Sequence, residues 1–249
     1  MNRLGTLGVV ALAYVLLEGG PATSIETETD INVVTGLDFS HSVSLDEHWI
    51  VQEGLAKALL SPEVIRAIQH GHHGRIGFAL FGWHTKTLPM LPWMLIGSAD
   101  DARVAVQQIR AAFSEQIATE STLRRVEQRF GRPTDLSRAL SSASDMLKAA
   151  PFRSTRSVIN IIGNGPDNVG ADAQGARNAT LALGFTINGV VLGQDPDVIE
   201  YFQQKVVGGP GSFVEHVPSS ELMARILTRK FINDIVIGFA DGSEPEPDH

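Results

Sequence analysis

The sequence lacks cysteine and has no excess of basic residues. The absence of cysteine among 249 residues excludes disulfides, thiolate metal ligands and cysteine nucleophiles. It suits an oxidising compartment without proving one. Acidic residues outnumber basic ones by 28 to 20, which gives a formal net charge of −8. Because no basic face follows from this composition, we expect no nucleic acid as a partner.

The longest uncharged stretch is too short to span a membrane comfortably. It runs from Leu4 to Leu17 after Arg3, whereas a membrane-spanning helix needs about 20 apolar residues. Small residues follow, so we predict a signal peptide over residues 1–24, cleaved after Ala22 or Ser24. The mature chain is then expected to be periplasmic or secreted, without a transmembrane span. An uncleaved anchor or a buried helix is the alternative interpretation.

Strand-like and helix-like patterns alternate along the rest of the chain. The predicted strands are residues 31–37, 75–83, 157–162, 185–192 and 212–217. Their near-continuous apolar and β-branched residues are typical of strands buried on both faces of a parallel sheet. Amphipathic segments lie between them, and the first begins with a capping box formed by Ser44 and Glu47.

The alternation predicts a single α/β domain over residues 31–239, because no linker or internal repeat divides it. We expect a doubly wound, mostly parallel sheet flanked by helices, similar in layout to a Rossmann fold. An acidic extension over residues 25–30 precedes this domain. An acidic tail over residues 240–249, predicted to be disordered, follows it.

Oxygen-bearing side chains follow two of the predicted strands and precede one helix. Asp38, Ser40 and Ser42 form a D-x-S-x-S pattern after the first strand, Asn164 follows the third, and Thr134 precedes a helix. Ligands of doubly wound sheets bind at the carboxyl ends of the strands. Hard cations prefer oxygen ligands. These five residues are therefore the candidate metal site, with Mg²⁺, or else Mn²⁺ or Ca²⁺, as the expected ion.

Each of these residues also has a plainer interpretation. The D-x-S-x-S segment would suit a polar turn that caps a helix. Thr134 suits a helix N-cap equally well, and Asn164 suits a simple turn between two glycines. The choice depends on whether the three segments meet in the folded chain.

The segment Asp38–Ser42, the later Thr134 and the turn Gly163-Asn164-Gly165 together resemble the metal-ion-dependent adhesion site of von Willebrand factor type A (vWA) domains. The resemblance implies direct metal ligation by the two serines and the threonine, and an outer-shell role for Asp38. It also implies one open coordination position for an external carboxylate. The family usually has aspartate where this chain has Asn164, which implies weaker metal binding by a more electrophilic ion. Asp135 and Asp167 are candidates to supply the missing charge.

Four further segments are similar to an uncharacterised family of exported bacterial vWA-like proteins, a domain of unknown function. They are residues 74–77, 165–168, 187–190 and 207–213. This resemblance covers residues 31–239 and implies a vWA-like domain there. It implies fold and site more firmly than activity.

The sequence favours a non-enzymatic domain that binds a protein partner presenting an Asp or Glu carboxylate to the metal. We expect no catalytic residues, since His41 beside two serines lacks a nucleophile elbow. Two alternatives remain: a Rossmann-like, metal-dependent enzyme acting on a phosphate or nucleotide, and a metal-free scaffold with a degenerate site. His70, His72 and His73 could ligate a transition metal, but a solvated loop is favoured because no carboxylate is evident beside them.

Overall fold

The computed structural model describes residues 27–127, 133–169 and 173–240 of the chain. Its strands are β1 (Thr27–Thr29), β2 (Asn32–Asp38), β3 (Ile76–Trp83), β4 (Thr87–Ile96), β5 (Phe152–Ser154), β6 (Ser157–Gly163), β7 (Thr186–Leu192) and β8 (Val214–Val217). Its α-helices are α1 (Leu45–Leu59), α2 (Pro62–Gln69), α3 (Ala99–Glu127), α4 (Leu136–Lys148), α5 (Ala173–Ala182), α6 (Pro196–Tyr201) and α7 (Met223–Ala240). A turn of π-helix, Phe202–Val206, continues α6, and a 3₁₀ turn, Ser220–Leu222, precedes α7.

A six-stranded central sheet has the order β4-β3-β2-β6-β7-β8. All neighbouring strands are parallel except β4, which is antiparallel to β3. Apolar side chains of α1, α2, α3 and α7 cover one face, and those of α4, α5 and the π-helical turn cover the other. The predicted α/β class, with a mostly parallel sheet between helices, is confirmed.

Strand β4 is a difference from the sequence prediction. Pro89 and Pro92 interrupt its apolar run, and proline is confined to sheet edges because it has no backbone donor. In the structure β4 forms one edge of the sheet, beside β3. The prolines therefore mark an edge strand, which hydrophobic periodicity alone did not indicate.

Helix α7 is fixed to the centre of the sheet by a buried polar cluster. Asp234 accepts hydrogen bonds from Lys230 (2.7 Å), Asn160 (2.9 Å) and Asn188 (2.9 Å). Lys230 and Asp234 are both fully buried or nearly so. Burial, the largest influence, lowers the pKa of Lys230, and Asp234 opposes this. The cluster joins α7 to β6 and β7 through specific contacts that an apolar interface would not provide.

The amino-terminal end of the described chain also pairs with the domain. Residues 27–29 of the predicted acidic extension form β1, which runs parallel to β5. The predicted signal peptide, residues 1–24, and residues 241–249 of the predicted tail lie outside the described residues. Within the described ranges, no helix combines the length and apolarity needed to cross a bilayer.

The connections place a crevice beside β2. From β2 the chain passes to β3 on one side and, after β4, returns to β6 on the other. In such sheets the strand ends at this reversal form the usual binding crevice. The carboxyl ends of β2 and β6 carry Asp38 and, one residue past β6, Asn164.

Candidate metal centre

Asp38 ends β2, and its carboxylate is buried at the edge of the sheet, with 3% of the residue exposed. Its Oδ1 atom accepts the backbone N–H of Ser40 at 2.7 Å, which folds the loop back onto the strand end. Its Oδ2 atom is buried and accepts no hydrogen bond from the described residues. Burial raises the pKa of Asp38 to about 6, although Ser40 and the nearby backbone amide of Asn164 oppose this.

Hydrogen bonds link the two serines to the loop after β6. The Ser40 and Ser42 hydroxyls are 2.9 Å apart, and the Ser42 hydroxyl donates to Asn164 Oδ1 at 2.7 Å. Asn164 Nδ2 donates in turn to the Ser42 carbonyl at 3.1 Å. The structure thus brings Asp38, Ser40, Ser42 and Asn164 into one hydrogen-bonded group, although Asn164 is far from the others in sequence.

Thr134 is buried and belongs to the loop that enters α4. Its backbone N–H donates to Asn168 Oδ1 at 2.7 Å, and its carbonyl accepts the Asn168 N–H at 3.0 Å. These bonds attach Thr134 to the loop that also carries Asn164. The N-cap of α4 is Asp135, whose side chain accepts the Arg138 N–H, so the N-cap interpretation of Thr134 is wrong.

Neither of the nearby aspartates takes the place of Asn164. Asp135 caps α4 and lies 3.3 Å from the Arg138 guanidinium. Asp167 accepts the backbone N–H groups of Leu136 at 2.9 Å and Val169 at 3.2 Å. Both carboxylates are used to hold loops, which leaves Asp38 as the carboxylate of the hydrogen-bonded group.

Two residues that sequence reasoning missed adjoin Asp38. His48, on α1, lies with Nε2 3.1 Å from the Asp38 carbonyl oxygen and stacks on Phe39 with ring centroids 4.2 Å apart. A Cβ atom on Gly163 would lie 3.1 Å from Asp38 Oδ2, so the glycine leaves room for that atom. Helical periodicity places His48 on the buried face of α1, but its contact with Asp38 follows only from the fold.

The histidine-rich turn, residues 70–74, lies between α2 and β3. His72 and His73 have ring centroids 4.8 Å apart, and His73 Nδ1 is 3.9 Å from Glu28 Oε2. Within the described ranges, no three histidine or acidic side chains converge as a group that could hold a metal. His41 is exposed on the β2–α1 loop.

The residues at the crevice fit a hard divalent cation. The serine hydroxyls, the Asn164 amide oxygen and the Asp38 carboxylate are oxygen donors of the kind Mg²⁺ binds. Because a buried carboxylate oxygen without a partner is costly, water held by such an ion would satisfy Asp38 Oδ2.

Solved structures share this architecture at low sequence identity. Proximal thread matrix protein 1 from the mussel byssus gives a TM-score of 0.56 at 14% identity, over 85% of this chain and 49% of its own. The pilus adhesin SpaC from Lactobacillus rhamnosus GG gives a TM-score of 0.56 at 14% sequence identity. The match covers 84% of this chain and 31% of the adhesin. A von Willebrand factor type A protein from Catenulispora acidiphila gives a TM-score of 0.54 at 12% sequence identity. The match covers 84% of this chain and 43% of that protein. The chain therefore spans about half of these proteins or less.

These likenesses show a vWA-type fold, so the predicted resemblance is confirmed at the level of fold. No curated protein matches the chain in sequence at a significant level. A family model described as "Protein of unknown function (DUF1194)" matches residues 28–238. Because this match covers most of the chain, the protein is a vWA-like member of the DUF1194 family.

Proposed function

We propose that this vWA-like domain binds a protein partner through a divalent metal ion. The observation that carries the proposal is the buried Asp38 Oδ2 atom, which has no hydrogen-bond partner among the residues that the structure describes and belongs to the same loop as the linked hydroxyls of Ser40 and Ser42. Ser40, Ser42 and Thr134 are assigned as direct ligands, and Asp38 and Asn164 as outer-shell residues. The bound ion would supply positive charge and one open coordination position to a carboxylate of the partner.

The charge of the group supports a carboxylate as the ligand. Asp38 is its single acidic side chain, because Asp135 and Asp167 are held elsewhere. One negative charge leaves a divalent ion with net positive charge in a low-dielectric crevice, where its attraction for an anion is strong. The amide of Asn164 orients water or hydroxyl groups without reducing that charge.

Binding is favoured over catalysis by the position of His48. Its Nε2 atom lies 3.1 Å from the Asp38 carbonyl oxygen, so this nitrogen is engaged by the backbone and does not serve as the base of a serine–histidine pair. We therefore propose a binding module without enzymatic activity. A pilus adhesin among the structural neighbours supports a role in protein adhesion.

Export is part of the same proposal. The uncharged run Leu4–Leu17 after Arg3, followed by small residues, supports a secretory leader. The lack of cysteine suits an oxidising compartment. We propose a periplasmic or secreted location, which fractionation of cells expressing the full chain would test.

Calorimetric titration of the protein with MgCl₂, MnCl₂ or CaCl₂ tests the metal site directly. We expect saturable binding to the wild type, loss of binding in Ser40→Ala and retention in Ser114→Ala, whose hydroxyl bonds to its own helix. A folded wild type that binds none of these ions would overturn the metal centre and favour the metal-free scaffold.

Partner capture tests the function itself. Proteins retained from the native extract in Mg²⁺ should be released by EDTA and should not be retained by Ser40→Ala. Metal-dependent turnover of phosphate esters or nucleotides by the wild type, lost in Ser40→Ala, would instead support the enzymatic alternative.

A further inference from the structure

A cavity of about 210 Å³ opens at the same edge of the sheet as the candidate metal centre. It lies between the first turns of α1 and the end of β8, and its apolar wall includes Ile50, Leu192, Val217 and Met223. Deeper in the domain, α1 and α7 are in close contact, since a Cβ atom on Gly54 would lie 2.2 Å from Met223 Cγ. Met223 therefore both lines the cavity and packs against α1.

One acidic side chain lines this cavity. Glu47 lines it, and its Oε2 atom accepts the Ser44 N–H at 2.7 Å, which fixes the carboxylate in place. Glu47 forms no ion pair within the part of the chain that the structure describes. Ser219 and Ser220 also line the cavity. One carboxylate, that of Glu47, thus borders an apolar space.

Size and charge together restrict what fits there. Pockets for small-molecule ligands have volumes of about 300–1,000 Å³, so this cavity suits a single side chain. Lysine and arginine bury an aliphatic stem while keeping a cationic end in a polar setting. An apolar wall beside the Glu47 carboxylate complements such a side chain in both respects.

We propose that this cavity is a subsite for a lysine or arginine side chain of the partner whose carboxylate reaches the metal. The pairing of the two sites rests on the proposed function. Helix α1 connects them, because it begins just after Ser42 and presents Glu47 in its first turn.

The cavity is tested without metal, with n-butylammonium as the probe and n-butanol as its neutral counterpart. In EDTA, we expect saturable shifts of the Gly193 and Ser219 amide resonances with n-butylammonium, and weaker binding of n-butanol. Glu47→Gln keeps the capping box but removes the charge, and should weaken n-butylammonium binding about two- to fivefold, as an exposed ion pair would. Asp46→Asn, in the same turn but outside the cavity lining, should bind as the wild type does.

Equal binding of n-butanol, or no effect of Glu47→Gln, would overturn the cationic subsite. Absence of shifts with either probe would do the same. Because this measurement contains no metal, its failure is independent of a failure of the metal centre.

A displayed library of random heptapeptides, selected on the protein in Mg²⁺, tests the pairing of the two sites. The wild type should enrich peptides that contain both an acidic and a basic residue, and Glu47→Gln should enrich the acidic residue alone. Enrichment of an acidic residue with apolar neighbours on both proteins would contradict the assignment. Peptide selection that EDTA does not abolish would count against the proposed function instead.

Discussion

Ser42 and Asn164 exchange two hydrogen bonds across the crevice of the sheet. The serine hydroxyl donates to the amide oxygen at 2.7 Å, and the amide nitrogen donates to the serine carbonyl at 3.1 Å. An aspartate could accept the first bond but could not donate the second. Asn164 therefore fastens the loop after β2 to the loop after β6, in addition to any role beside a metal.

Asn164→Asp should separate these two roles. We expect tighter Mg²⁺ binding, because a second carboxylate joins Asp38, and lower stability without metal, because one hydrogen bond is lost and two charges oppose each other. Calorimetry and thermal unfolding with and without EDTA measure both effects. Asn168→Asp is the control: it adds the same charge to this loop but still accepts the Thr134 N–H. Unchanged Mg²⁺ affinity in Asn164→Asp would contradict the assignment of Asn164.

Asp38→Asn should stabilise the metal-free protein at neutral pH. Burial raises the pKa of Asp38 to about 6 from an ordinary 3.8. The protonated carboxyl therefore favours the folded state at low pH, and this stabilisation is lost as the pH rises through 6. The difference between the two pKa values corresponds to about 3 kcal/mol in the free energy of unfolding, at about 1.4 kcal/mol per pKa unit. Urea unfolding in EDTA should show a gain in stability at pH 7 that shrinks towards pH 4.

The same variant should respond differently to metal. Mg²⁺ should raise the unfolding midpoint of the wild type, since an ion that binds only the folded state stabilises it. It should leave Asp38→Asn nearly unchanged. Equal Mg²⁺ stabilisation of both proteins would exclude Asp38 from the centre.

Gly163→Ala should weaken metal binding by displacing the carboxylate. The new Cβ atom would lie 3.1 Å from Asp38 Oδ2, so the carboxylate must give way by a few tenths of an ångström. Gly165→Ala, two residues later, is a matched control because its Cβ atom would meet nothing within 4 Å. We expect about a tenfold rise in the Mg²⁺ dissociation constant for the first variant only, as for a disturbed outer-shell group. Equal affinity of the two variants would contradict this role of Gly163.

Asp234→Asn should strongly destabilise the domain. It would leave the fully buried Lys230 ammonium without its charged partner, a change that typically costs about 3–5 kcal/mol. Asp145→Asn is the comparison, because it removes an exposed ion pair with Lys148 that is worth about 1 kcal/mol or less. Chemical denaturation of both variants measures the contrast, and a similar small loss in both would show that Lys230 is accommodated without Asp234.

Local sequence patterns correctly predicted the start of α1 and the strands at the centre of the fold. The capping box of Ser44 and Glu47 is present, and the buried runs that became β2 and β6 have the predicted character. The proline-interrupted β4 was not predicted, because its pairing depends on the neighbouring β3. A three-residue strand such as β1 cannot be predicted from local sequence either, because its hydrogen bonds are formed with the distant strand β5.

By itself, the sequence determined that oxygen-bearing side chains follow buried strands, because strand periodicity and the D-x-S-x-S spacing are local properties. Only the tertiary structure decided which of them share a crevice and which carboxylates remain there. Asp167 looked as available as Asp38, yet backbone amides of Leu136 and Val169 occupy it. The physical reason is that hydrogen-bond partners and burial depend on contacts between segments distant in sequence, which no local pattern specifies.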